Sequence, residues 1–294
     1  MSALAAGQSH AAAGGRAHRL WRLVRRSPSA MLGGLVVLVI VAVAVLSLFW
    51  NPYGPLTVST GHELLGPSFH HLLGTDEYGR DLLSRLMSGT DLTLLSSAGA
   101  VLIAGGIGIP AGLISASRGG FTSELIMRGA DLIYSFPALL AAITLVAVFG
   151  ASTTTATVAI GIASIPSFAR VTRSAALAVL ATEYVLAARA YGRSPLAILR
   201  RHVLPNILPF IIVQASLLLS VTVLAVAALS YLGLGTPPPT ATWGGMLENA
   251  QNYLYQDPLM AVWPGLAIAI CVLGFNALGD GLRDLLDPTL RGRE

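Results

Sequence analysis

The chain has 294 residues, of which 54% are hydrophobic and only 11% charged. Soluble domains carry roughly 25% charged residues, so this composition excludes an ordinary water-soluble globule and points to a membrane. All 18 basic residues are arginine, the net charge is +4, and the single cysteine, Cys271, excludes an intramolecular disulfide.

In chain order, residues 1–30 read as a tail, with a disordered Ala/Gly/Ser-rich start followed by Arg16, Arg19, Arg22, Arg25 and Arg26. Leu32–Phe49 is the first apolar run long enough for a hydrocarbon core of about 30 Å, which puts a first membrane helix at 31–50. A basic start before an apolar run imitates a secretory signal. The run ends at Phe49-Trp50-Asn51-Pro52 without a small-x-small site, so an uncleaved anchor is expected. Residues 51–90 are predicted to lie outside the membrane, first as Gly/Pro-rich loop. From Asp81 onward Leu82, Leu83, Leu86 and Met87 alternate with charge, as in an amphipathic helix lying on the outer surface.

Residues 91–280 hold the remaining spans: Leu94–Ile114, Leu132–Phe149, the weaker and threonine-rich Thr153–Phe168, Ile207–Leu229 and Met260–Leu278. Between the fourth and fifth spans lies a polar insertion, Glu183–Asn206, and between the fifth and sixth a Pro/aromatic-rich loop, Gly233–Pro258, expected to cap the outer mouth. Residues 281–294 form a second tail. Arginines cluster before the first span, between the fourth and fifth (Arg170, Arg173, Arg189, Arg193, Arg200, Arg201) and after the sixth. The opposite loops hold only Arg80 and Arg85. The positive-inside rule then places both termini in the cytoplasm, and this topological use of the basic charge argues against nucleic acid as a partner.

The insertion reads EYVLAARAYGRSPLAILRRHVLPN. Thr182 is a natural N-cap and Glu183 puts a carboxylate in the first turn, where the helix dipole favours it. A short helix through Ala190 meets Gly192, suited to a left-handed C-terminal cap, and Ser194-Pro195 restarts a helix in the cap-then-N1 order. Leu196, Leu199 and Val203 are expected on one face. Helix, corner and helix make a knob shaped to plug into another protein.

This pattern resembles the "EAA" coupling loop of permease subunits in ATP-binding-cassette (ABC) importers, with Glu183, Ala187, Ala188, Gly192, Leu204 and Pro205 matching its Glu-Ala-Ala, Gly and Leu-Pro positions. Tyr184-Val185 after the glutamate makes this copy Glu-x-x-x-Ala-Ala. Two further segments, His71–Arg85 (HLLGTDEYGRDLLSR) and Ser230–Gly235 (SYLGLG) with Pro237-Pro238 and Trp243-Gly244, are similar to the C-type permease of dipeptide, oligopeptide and nickel importers.

The resemblance implies an all-α membrane protein of six transmembrane helices with the type I importer permease fold and a cytoplasmic coupling helix. It implies a bacterial inner or plasma membrane location and a homologous permease as heterodimer partner. Two cytoplasmic ATPase subunits would dock on the knob, and an extracytoplasmic solute-binding protein on an outer gate of Gly233, Gly235, Pro237, Pro238, Trp243, Asp76, Arg80 and Asp81. The chain itself would be non-catalytic and hold no cofactor or metal. ATP and Mg2+ would sit on the partner ATPases, since the chain has no lysine with which to build a phosphate-binding loop. The expected cargo is a di- or oligopeptide, with a nickel chelate or another small solute as the alternative.

The remaining chemistry-bearing residues have plainer readings. His62, Glu63, His70 and His71 match no standard metal spacing, and Asp76, Arg80 and Asp81 read as salt bridges tying the outer helix to its loop. Asp131 and Arg128 read as an intrahelical pair. The lack of midplane charge argues against a self-contained secondary carrier, the rival reading. It leaves a translocation path lined by groups such as Gln214, Ser216, Ser220, Thr222 and Asn276.

Overall fold

The computed structural model describes residues 27–286; residues 1–26, with the start expected to be disordered and the arginines that follow it, and residues 287–294 lie outside the described residues. The helices are α1 (Pro28–Ser47), α2 (Leu82–Arg118), α3 (Gly120–Ser135), α4 (Ala138–Phe149), α5 (Thr153–Leu180), α6 (Glu183–Ala190), α7 (Pro195–Ile198), α8 (Leu204–Tyr231), α9 (Trp243–Ala250) and α10 (Leu259–Leu286). The fold is all-α: among the described residues the only β feature is a single bridge between Thr75 and Asp81. Among the described residues five helical runs are long and apolar enough to cross a membrane, and the bent pair α3–α4 makes a sixth if it crosses as one span.

Three boundaries differ from the sequence reading. The amphipathic segment after Asp81 and the second span are one continuous helix of 37 residues, not a surface helix followed by a span. At 1.5 Å per residue α2 reaches about 55 Å, longer than a core of about 30 Å requires. It crosses its polar stretch unbroken because Thr90, Thr93 and Ser97 donate their hydroxyls to carbonyls one turn back, at 2.7–2.9 Å. The third span is not one helix: α3 and α4 meet at 82°. Pro137 is the cause, since a residue before proline is driven from the helical region, and Phe136 sits at φ −87°, ψ 132°. Lastly, the second half of the knob is not separate from the fifth span. Residues Pro195–Tyr231 run as one rod, with a π-helical turn at Leu199–Val203 where Pro205 removes an N–H from the ladder.

In a membrane the hydrophobic effect gives little drive for helix to meet helix, so association depends on close backbone approach at small residues. A Cβ built on Gly112 of α2 would fall 2.6 Å from Ala169 O of α5, and one on Gly108 2.7 Å from Ile165 O. The antiparallel pair α1–α10 is drawn together the same way: a Cβ on Gly33 would run into the backbone N of Leu278, and one on Gly281 into that of Ala30. α5 runs from the cap end of the bundle, where Thr153 Oγ1 lies 2.6 Å from Thr236 Oγ1, to the knob end at Leu180. The Pro28 end of α1 and the Leu286 end of α10 lie on the knob side.

Gly33→Leu should force α1 off α10, an overpacking cost of about 1–3 kcal/mol that lowers the apparent melting temperature by roughly 2–12 °C. Gly34→Leu, where the nearest atom to a new Cβ is a side-chain methyl at 3.9 Å, should leave it unchanged. Equal effects of the two in thermal unfolding of the purified protein would refute the packing role of Gly33.

Candidate functional site

The knob begins where α5 ends. Thr182 occupies the cap position of α6, but its hydroxyl donates to Val179 O at 2.6 Å and caps nothing. The expected side-chain cap is therefore absent because the last turn of α5 has already taken the hydroxyl. Glu183 is exposed in the first turn and makes no ion pair among the described residues. At the far end Gly192 N donates to Arg189 O at 2.9 Å and Arg193 N to Ala188 O at 3.1 Å, which is a Schellman corner. Gly192 sits at φ +74°, and a Cβ there would meet nothing within 4 Å, so the glycine is required by backbone conformation and not by space. Ser194 then caps α7, accepting from Ala197 N at 3.4 Å, with Pro195 at N1.

Val185, Ile198 and Val203 are buried and join Leu180, Ile207 and Phe168 in one core cluster, so the knob is anchored to α5 and α8. Leu196, expected on that face, is 63% exposed, because the π turn adds a residue and brings Ile198 into line with Val203 instead. Tyr184 clamps the two arms, its hydroxyl accepting from Asn206 Nδ2 at 3.2 Å. What remains outside is an apolar rim of Leu186, Tyr191 and Leu196 among Arg189, Arg193 and Arg200. Ala187 and Pro205 are exposed, while Ala188 and Leu204 are half-buried.

The opposite end is tied by charge. Asp76 accepts from the backbone N of Tyr78 and of Arg80, both at 2.9 Å, from Arg80 Nε at 2.6 Å and lies 3.3 Å from Arg85 Nε. Asp81 caps α2, accepting from Ser84 N at 2.8 Å and Ser84 Oγ at 2.7 Å, and meets His71 Nδ1 at 2.9 Å. The salt-bridge reading of this segment is the observed one. His62 pairs with Ser59 and His71 with Asp81, so these histidines do not converge.

The cap leaves α8 through a second Schellman corner, with Gly233 at φ +74° and Leu234 N donating to Leu229 O. Gly235 is buried against Ser230, while Pro237 and Pro238 are exposed. Trp243 opens α9 within the cap. It is 2% exposed, with its indole N–H donating to Leu86 O at 3.1 Å, because the cap folds back onto the outer turns of α2.

Two further expectations change. Arg128 pairs with Glu124, one turn back, at 2.6 Å, and Asp131 reaches across to Arg170 of α5 at 2.7 Å; the two do not pair with each other. Ser216, Ser220 and Thr222 do not line a path. They are buried: Ser216 donates to Phe275 O at 3.0 Å and Ser220 to Asn276 Oδ1 at 2.7 Å, which joins α8 to α10, while Thr222 bonds back to Leu219 O at 3.0 Å in its own helix. No sequence signal separated these hydroxyls from pore-facing ones, since both occur singly on apolar helices.

A bent-span helical bundle with a polar knob at one end and a charge-tied cap at the other defines a polytopic membrane permease. Residues 108–292 match the family described as "Binding-protein-dependent transport system inner membrane component", and residues 16–67 match "N-terminal TM domain of oligopeptide transport permease C". The chain belongs to this inner-membrane permease family of ABC importers. It is 39% identical over 276 residues to the glutathione transport system permease protein GsiD of Escherichia coli O157:H7, covering 94% of this chain and 91% of that one. To the protein of the same description in Pectobacterium atrosepticum it is 39% identical over 272 residues, covering 92% and 90%. An inward-facing structure of the MetNI methionine ABC transporter shares the fold, with a TM-score of 0.57 at 20% identity over 69% of this chain and 97% of that one.

Burial raises the pKa of Glu77, whose Oε2 has no hydrogen-bond partner. A carboxyl with a folded pKa above its unfolded value destabilises once pH rises past the unfolded value near 4.5. Glu77→Gln should therefore stabilise the protein at pH 7, and the gain should shrink as pH falls towards 4.5. Thermal unfolding at both pH values checks this; a destabilised Glu77→Gln at pH 7 would show that the Arg80 contact outweighs burial.

Proposed function

We propose that this chain forms half of the translocation pore of a peptide importer, with a homologous permease supplying the other half. Two cytoplasmic ATPase subunits, which hold the ATP and Mg2+, dock on the Glu183–Asn206 knob. An extracytoplasmic solute-binding protein docks on the cap and the Asp76–Asp81 loop. Both termini lie in the cytoplasm, and the chain performs no chemistry of its own. The relatives' description as permeases for glutathione, a short peptide, supports peptide as cargo.

One observation carries the coupling role: the knob has no flexible joint to the membrane. Its first arm follows α5 after a two-residue turn, and its second arm continues into α8 without a break in the rod. A push on the exposed rim of Leu186, Tyr191 and Leu196 therefore becomes a tilt of two spanning helices. Closure of paired ATPases would then rock the bundle between inward-open and outward-open states. The left-handed Gly192 sets the angle between the arms. Any other residue there costs about 1–2 kcal/mol of backbone strain, more for a β-branched one.

Gly192→Val should insert normally yet lower peptide uptake at least about tenfold, either with weaker ATPase co-purification or with ATP hydrolysis that no longer drives transport. Glu183→Ala should give a milder loss. Wild-type uptake by a correctly assembled Gly192→Val complex would overturn the coupling role. Competition by dipeptides, glutathione and a nickel chelate in the same assay identifies the cargo class.

Orientation has its own test. In a Cys271→Ala background, cysteines replacing Phe69 and Thr240, both exposed, should react with an impermeant maleimide on intact cells, and one replacing Ser194 should not. Labelling of Ser194→Cys from outside would invert the topology.

A further inference from the structure

The α1–α10 pair is zipped at one end and open at the other. On the knob side the glycines bring the backbones into contact, with a Cβ on Gly274 meeting Val36 Cγ1 at 2.5 Å, in line with Gly33 and Gly281. Towards the cap the facing residues become Val39, Ile40 and Val43 on α1 and Leu266 and Ile270 on α10, whose bulk holds the axes apart. The first turns of α2 and the rings of Trp243 and Trp263 close the back of this wedge, leaving a cleft of about 420 Å³.

The cleft offers water nothing. No ionisable side chain lines it, and its polar hydrogens are already committed. Thr90 donates to Leu86 O at 2.9 Å, the Trp243 indole to the same carbonyl at 3.1 Å, and the Trp263 indole to Leu73 O at 3.1 Å. A water needs two to four polar partners, so the cleft would not be held by solvent. It is continuous with the lipid-facing surface of α1, where Leu35 and Leu38 are 59% and 65% exposed. A transmembrane helix, about 10 Å across, is too thick for it, and helix contacts in membranes favour Gly, Ala and Ser, of which the lining has only Ala267. The chain's own segments outside residues 27–286 join α1 and α10 at their opposite, knob-side ends.

We propose that this cleft binds one acyl chain of a phospholipid from the cap-side leaflet, held as part of the structure and not exchanging with the surrounding lipid. The chain fills the wedge that the branched residues open and packs the outer half of α1 onto the rings of Trp243 and Trp263, and through Trp243 onto the cap. The inference requires only that α1 and α10 cross the membrane, and is independent of the cargo and of the coupling role of the knob.

The test uses the assembled transporter in vesicles of phosphatidylethanolamine and phosphatidylglycerol, with a trace of phosphatidylglycerol carrying a diazirine near the end of one acyl chain. The complex is irradiated before or after extraction and repeated detergent washing, and adducts are mapped by mass spectrometry. Adducts on Val43, Met87 and Ala267 should survive washing, while those on the lipid-facing Leu38 and Leu273, 65% and 66% exposed, fall at least about tenfold. Ala267→Phe and Ile40→Trp, which fill the cleft from opposite walls, should each abolish the wash-resistant adducts without changing unwashed labelling at Leu38 and Leu273. Equal loss at all five positions would mean ordinary boundary lipid and overturn the proposal. A cross-link from the cleft to the companion permease, or wash-resistant adducts persisting in both filled variants, would do the same.

Discussion

Close approach of α2 and α5 at glycine is the constraint on which the rest of the molecule hangs. Gly108 and Gly112 leave no room for a Cβ against Ile165, Phe168 and Ala169, and Gly161 faces Ile103 in the same seam. In lipid this contact replaces the hydrophobic drive that would join such helices in water, since tails solvate leucine as well as leucine does. Because α2 carries the charge-tied loop at one end and α5 leads to the knob at the other, the seam fixes the distance between the two functional ends.

Hydroxyls on the apolar helices bond back to their own ladder, as those of Thr93 and Ser97 do, or join a neighbouring helix, as those of Ser216 and Ser220 do; the buried Thr172 hydroxyl of α5, which has no partner, is an exception. Charges stay near the ends. The buried guanidiniums of Arg80 and Arg85 share Asp76, which accepts four hydrogen bonds or ion contacts and so repays its desolvation. Glu77 is the member left short, and its raised pKa is the mark of it.

Helix continuity differs between the two ends of the bundle. The π turn at Leu199–Val203 lets the chain pass Pro205 without a break, so the knob's second arm and the fifth span form one rod. The break at Phe136–Pro137 does the reverse, giving the third span two independently directed halves. One proline is absorbed by widening a turn and the other ends a helix. The difference lies in the neighbours: Val203 and Ile207 are buried in the core on either side of Pro205, whereas Phe136 is 68% exposed and nothing holds it helical.

By itself the sequence determined which stretches are apolar enough to span, the family, and the Gly192 corner and Ser194-Pro195 restart of the knob. Each rests on signals confined to a few adjacent residues: apolar run length, Ser194-Pro195 as cap and N1, and Gly192 as the left-handed corner. The sequence also pointed to the Asp76–Arg80–Asp81 ties, since charges at such spacing beside a helix start have few other uses. Tertiary structure decided what depends on a distant neighbour. Trp243 is an interior anchor because the cap folds back over α2, and Asp131 pairs with Arg170 because α5 passes beside α3. Leu196 faces outward because the π turn shifts the helix phase. Serines that read as pore lining are spent between α8 and α10, and the glycines of α1 and α10 zip one half of that pair and leave the other open. A helix wheel records which face a residue occupies; only the packed bundle decides whether that face meets lipid, water or another backbone.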